Sequence, residues 1–214
     1  MIYLNASIVR DKKIIAIIRG ITGDALLKTA EAVLRGGIEL IEVTFDQTGT
    51  ISAEQTGCDI KMLCEKLGDR MHIGAGTVLT REQVKLTHDA GGEFIISPDV
   101  NEEVIRYTKE LSMLSMPGAM TPSEIRFAYD CGADFVKVFP CVSLGSGYIK
   151  AVSAPLSHIP LLAVGGVTPD NMDEFFSAGA CGFGISTAIA DKRLAETGNF
   201  KKIEENARRF TEKL

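Results

Sequence analysis

The sequence predicts a single (β/α)8 barrel. Short apolar segments, each followed by a helical stretch, recur roughly every 18 to 34 residues, the spacing of a repeating β-then-α unit. The length of 214 residues fits one such barrel. No low-complexity linker divides the chain, so residues 1–214 read as one domain. A doubly wound open sheet is the architectural alternative, and eight countable units favour the closed form. The first ten residues precede the first strand and are expected to form an N-terminal helix or arm over the barrel's bottom.

The expected strands are 14–19, 38–44, 71–75, 93–97, 112–116, 134–139, 160–164 and 181–185, each short and apolar as suits parallel strands covered by helices. Between and after them, helices are expected near 23–35, 52–67, 80–90, 101–110, 121–131, 147–154, 169–178 and 199–213. Gly36-Gly37 and Gly91-Gly92 supply the backbone freedom that ends a helix and returns the chain to a strand. Thr80-Arg81-Glu82-Gln83 has the spacing of a capping box. Thr121-Pro122-Ser123-Glu124 adds proline at the first helical position, and Thr168-Pro169-Asp170 repeats that arrangement.

Composition narrows the function. Net charge is −5 with no polybasic block, which argues against nucleic acid or an anionic membrane as partner and leaves a small molecule. No apolar run approaches the ~20 residues needed to span a bilayer, and the N-terminus lacks a signal-peptide pattern. Cys58, Cys64, Cys131, Cys141 and Cys181 are odd in number and scattered, as expected of free thiols in or near the core of a cytoplasmic protein. His72, His88 and His158 are isolated, so no metal site is expected.

Three apolar strands each carry one ionised residue, which packing alone explains poorly because burying a charge costs several kcal/mol. Alternation places Phe135, Lys137 and Phe139 on one side of strand six, and Leu40, Glu42 and Thr44 on one side of strand two. Helix-facing positions must be apolar, so Lys137 and Glu42 should point into the barrel. Arg19 closes strand one at the end where barrel enzymes build active sites. A lysine in a tight apolar pocket has a lowered ammonium pKa and can attack a carbonyl. A nearby arginine lowers it further and an ionised Glu42 raises it. The structural alternative is a Lys137–Glu42 ion pair inside the barrel, with Arg19 at the surface.

Gly165-Gly166 after strand seven and Gly182-Phe183-Gly184-Ile185-Ser186 at strand eight suit an anion, because loops after these two strands are a frequent phosphate site. Their structural alternative is simple turns. Small residues in Ile73-Gly74-Ala75-Gly76-Thr77-Val78 either admit a ligand or pack densely, and Ile96-Ser97-Pro98 and Pro117-Gly118 either wall the pocket or turn the chain.

Taken together, Glu42-Val43-Thr44, Ile73-Gly74-Ala75-Gly76-Thr77-Val78-Leu79, Ile96-Ser97-Pro98, Pro117-Gly118, Phe135-Val136-Lys137-Val138-Phe139-Pro140 and Gly165-Gly166-Val167-Thr168-Pro169 resemble the class I 2-keto-3-deoxy-6-phosphogluconate aldolase family. That family includes 4-hydroxy-2-oxoglutarate and 2-dehydro-3-deoxy-6-phosphogalactonate aldolases, and the resemblance runs from Ile14 to about Ala190. It implies a (β/α)8 barrel, a homotrimer, no cofactor, and cleavage of a keto-deoxy sugar acid to pyruvate and an aldehyde. It also implies Lys137 as Schiff-base lysine and Glu42 as general acid/base. Arg19 and Thr77 match carboxylate-binding positions, Gly165, Gly166 and Ser186 phosphate-binding positions, and Pro98 and Phe139 pocket-lining positions. One departure stands out: many phosphogluconate-type members carry arginine where this chain has Asp46, while galactonate-type relatives lack it and share the arginine at position 19. A phosphosugar isomerase or epimerase, and a non-catalytic phosphosugar-binding subunit, are the alternative functions on the same barrel.

Overall fold

A computed structural model describes residues 4–214. Nine parallel strands form a nearly closed barrel with helices between them. In chain order the strands are β1 (Ile14–Ile18), β2 (Leu40–Thr44), β3 (His72–Gly76), β4 (Phe94–Ile96), β5 (Leu114–Met116), β6 (Gly118–Ala119), β7 (Val136–Val138), β8 (Leu161–Val164) and β9 (Ala180–Ile185). The helices are α1 (Ala6–Lys12), α2 (Gly23–Arg35), α3 (Ala53–Leu67), α4 (Arg81–Asp89), α5 (Glu102–Glu110), α6 (Pro122–Asp130), α7 (Gly145–Ser153), α8 (Met172–Ser177), α9 (Lys192–Glu196) and α10 (Phe200–Thr211).

The strand count exceeds the expected eight because the fifth is broken at Pro117, which has no N–H to give to a ladder. β5 pairs with β4, and β6 with β7. Backbone bonds from Asp134, Lys137 and Phe139 to Ser115, Pro117 and Ala119 run along both pieces, so they act as one wall segment.

Two apolar layers follow from strand alternation. Ile14, Ala16, Ile18, Ile41, Val43, Val136, Val138, Leu161 and Ala163 pack outward against the helices. Ile15, Ile17, Leu40, Phe94, Ile96, Leu114, Met116, Phe135, Leu162 and Val164 fill the barrel interior. Val9 of α1 joins the interior set, with Leu4 and Ala6 packed against it, and Arg10 lies 5.6 Å from the centre of the Phe135 ring. Asn5 caps α1 by accepting from the Ser7 and Ile8 amides. These apolar side chains fill the lower half of the barrel interior.

Of the three helix starts read from the sequence, the one at Thr121 holds and the other two change. At Thr121 the capping box is reciprocal, with Glu124 accepting from the Thr121 amide. At Thr80 it is not, because the Gln83 side chain accepts from the Leu79 amide instead. Thr168 does not start a helix, since residues 169–171 make a turn and α8 begins at Met172 after Asn171. All five cysteines are free thiols, Cys131 and Cys141 buried and Cys58 exposed, so Cys58 lies outside the core. Among the described residues no helix is long and apolar enough to cross a membrane.

Candidate active site

Glu42 and Lys137 occupy inward positions on β2 and β7. Glu42 shares the face of Leu40, and Lys137 the face of Phe135, both interior residues. Lys137 is 7% exposed and Glu42 is 2% exposed, so each charge is withdrawn from water. Both border a cavity of about 510 Å3 at the C-terminal ends of the strands. The same cavity is lined by Arg19, Thr77, Pro98, Phe139, Gly165, Gly166 and Ser186, so these seven meet Lys137 and Glu42 there, whereas Asp46 lies outside it. Alternation could also have supplied Ile17, one turn of the pleat above Ile15; Thr187 and Ala188, beside Ser186, were missed as lining residues.

The electrostatics of the pair are set by burial. Desolvation lowers the Lys137 pKa, Glu42 opposes that shift, and Arg19 adds to it. Desolvation raises the Glu42 pKa to about 7, against the opposing influence of Lys137 and Arg19. Among the described residues no ion pair joins the two, and Glu42 Oε2 is buried without a hydrogen-bond partner. An unpartnered buried oxygen is uncommon in folded proteins, and of the three such atoms among the described residues only that of Glu42 belongs to a residue lining the cavity. The internal ion pair that would have made both residues structural is thus not formed. The Lys137 Nζ instead lies 4.7 Å from the centre of the Phe139 ring.

Gly76 makes room for the carboxylate. A Cβ at this position would come within 2.3 Å of Glu42 Oε1 and 2.6 Å of Cδ, closer than real contacts allow. The β2–β3 register brings this about by pairing Thr44 with Gly76, two residues beyond Glu42 and Gly74. Thr77, the next residue, has φ +57°, an outlier for a β-branched side chain and a form of strain that gathers at functional sites.

Two glycines also border the cavity. Gly165 and Gly166 follow β8 with φ +93° and +78°, where L side chains are disfavoured. A Cβ on Gly166 would also strike Val142 at 2.3 Å. Asn171 braces this loop, donating to the Gly166 carbonyl and accepting from the Thr168 amide. After β9, the Ser186 carbonyl accepts from the Ile189 and Ala190 amides, closing a turn beneath Thr187 and Ala188. Among the described residues no cluster of three or more His, Cys, Asp or Glu could hold a metal ion.

The model of the KDPG and KHG aldolase family matches residues 6–206. The chain belongs to that family. It is therefore an enzyme, a carbon–carbon lyase of the aldolase type. A 2-dehydro-3-deoxy-6-phosphogalactonate aldolase of Escherichia coli is 38% identical over 177 residues, covering 82% of this chain and 83% of its relative. A 2-dehydro-3-deoxy-phosphogluconate aldolase of Haemophilus influenzae is 29% identical, covering 91% and 89%. Among solved structures, a native KDPGal structure superposes with TM-score 0.85 and 34% identity, covering 94% of this chain and 93% of the other. The KDPG aldolase of Legionella pneumophila, solved with pyruvate captured as a covalent carbinolamine, gives TM-score 0.84 at 25% identity, covering 96% and 97%.

Within this aldolase the contact at Gly76 has a measurable consequence. Gly76→Ala is expected to displace the Glu42 carboxylate and lower kcat on the order of 10²-fold, the scale of an ångström misplacement of a reacting group. Circular dichroism should remain that of the parent. A variant with parental kcat would show that the carboxylate has room to spare.

Proposed function

We propose that this aldolase is of class I, and that it cleaves a 2-keto-3-deoxy-6-phospho sugar acid to pyruvate and an aldehyde such as glyceraldehyde 3-phosphate. The observation that carries the reading is a buried lysine with a lowered pKa facing the same cavity as a buried carboxylate with a raised one. Neutral Lys137 attacks the C2 ketone, and loss of water from the carbinolamine gives a protonated imine that draws electrons from the chain. Glu42, directly or through a water, takes the C4 hydroxyl proton. The C3–C4 bond breaks to an aldehyde and an enamine, and the same carboxyl returns a proton to C3. Hydrolysis then frees pyruvate and Lys137. A group whose pKa lies near 7 suits a residue that must both accept and return a proton. No organic cofactor takes part in this sequence.

Arg19 and Thr77 hold the substrate carboxylate at one end of the cavity, while Gly165, Gly166 and Ser186 bind the phosphate at the other through backbone and hydroxyl groups. Pro98 and Phe139 wall the space between them. The 38% identity to a phosphogalactonate aldolase, together with Arg19 and Asp46, favours the galacto configuration over the gluco form and over non-phosphorylated 4-hydroxy-2-oxoglutarate. A pyruvate-release assay across these three substrates is expected to give the largest kcat/KM with the phosphogalactonate. Equal turnover of the non-phosphorylated acid would remove the phosphate from the reading, and no pyruvate from any would remove the reaction.

We further propose a cytoplasmic homotrimer. Met120, Phe127, Tyr129 and Val142 are large apolar residues left exposed on the single chain, as a subunit contact requires. Sedimentation equilibrium should give three times the chain mass, and a monomer at micromolar concentration would contradict this.

A further inference from the structure

The residue that departs from the phosphogluconate-type pattern does not face the 510 Å3 cavity; it holds a loop together. Asp46 Oδ1 accepts from the Thr48 amide at 3.1 Å, and Oδ2 accepts from the Thr50 and Ile51 amides at 2.7 and 3.0 Å. The Thr48 hydroxyl lies 2.9 and 2.8 Å from the same two oxygens. These donors favour the ionised form and hold the Asp46 pKa down to about 2, so the tie is intact throughout the neutral range. Gln47, held between Asp46 and Thr48, donates from Nε2 to the Thr77 carbonyl at 3.3 Å. Thr77 is the residue with φ +57°. Its amide plane therefore bears a bond from this loop at the point where its conformation is least favourable. Asp46, Gln47, Thr48, Thr77 and Arg19 also line one adjoining cleft of about 320 Å3, which meets the larger cavity at Arg19 and Thr77.

We propose that Asp46 and Gln47 are positioning residues for the carboxylate end of the site: Asp46 folds the 46–51 loop, and Gln47 latches that loop to Thr77 so that its hydroxyl and Arg19 meet the substrate carboxylate. This rests on the reading of Arg19 and Thr77 as the carboxylate-binding pair. A net hydrogen bond of ordinary strength corresponds to about a fivefold change in affinity, and loss of the whole tie to roughly tenfold.

The test is reductive trapping of pyruvate with cyanoborohydride, followed by mass spectrometry as a function of pyruvate concentration. Half-saturating pyruvate is expected to rise about fivefold in Gln47→Met, which keeps the bulk and loses the donor, and roughly tenfold in Asp46→Ala. The trapping rate at saturation should stay within about twofold of the parent, because neither residue touches Lys137 or Glu42. Asp46→Asn, which keeps one accepting oxygen, should recover part of the loss. Parental half-saturation in Gln47→Met, with or without a lower Tm, overturns the proposal while leaving the nucleophile in place. A parent enzyme that pyruvate never labels overturns this proposal together with the imine mechanism on which it stands.

Discussion

Lys137→Met is expected to lower aldol cleavage by roughly 10⁴-fold or more while leaving the barrel folded. In the proposed mechanism the amine is the nucleophile and the protonated imine it forms is the electron sink, so its loss removes the route through an imine rather than slowing one step of it. Methionine matches the length of the aliphatic stem and suits the Phe135 and Phe139 side of the strand. Stability gives an independent sign. The folded-state pKa of Lys137 is lowered from 10.5, so at neutral pH the fold disfavours the ammonium that the unfolded chain prefers. Removing the amine removes that cost, and Tm should stay level or rise. A Tm that falls by many degrees would instead make Lys137 a structural cation, the role in which breaking a buried pair is strongly destabilising.

Glu42→Gln is expected to lower cleavage by roughly 10² to 10⁴-fold, the usual contribution of a positioned acid or base, without abolishing the pyruvate adduct on Lys137. It should also change two pH profiles. With Glu42 as the proposed base, cleavage by the parent is expected to decline as pH falls through about 7, and the glutamine variant to lose that limb. Glu42 raises the Lys137 pKa, so without its charge the lysine is neutral at lower pH and half-maximal trapping moves down the pH axis. For stability the sign is that of a raised carboxyl pKa. Glu42 contributes fully below its ordinary 4.5, and the contribution is lost as pH rises through about 7. Glutamine should flatten stability across that window. An unchanged rate would make Glu42 a spectator in the cavity.

These effects bear on how much of the site could be read before the fold. The inward aim of Lys137 and Glu42 was legible because alternation has only two outcomes and the helical side tolerates no charge. Gly165, Gly166 and Ser186 were legible because loops after the last barrel strands converge whatever their sequence. What escaped was cross-strand. The meeting of Gly76 with Glu42 depends on the register of β3 against β2, which no local pattern in either strand encodes. Asp46 was visible as a departure, but its bonds run to amides that approach only once the loop has turned back.

Secondary structure failed where elements were short or broken. The five-residue α9 has too few turns to show a period, and its signal is one cap, Asp191 accepting from the Arg193 amide. The fifth strand reads as one segment because apolar character ignores the missing N–H of Pro117. Thr168-Pro169 has the letters of a helix start, yet the Asn171 side chain takes the Thr168 amide and delays the helix to Met172.

The proposed cleavage depends on one amine in one cavity, and it is tested most directly by incubating the parent enzyme with pyruvate and borohydride and sequencing the labelled peptide by mass spectrometry. A single pyruvate-derived adduct on Lys137, absent from Lys137→Met, is the predicted result. An unlabelled enzyme that still cleaves substrate, or a label on any other lysine, would contradict it.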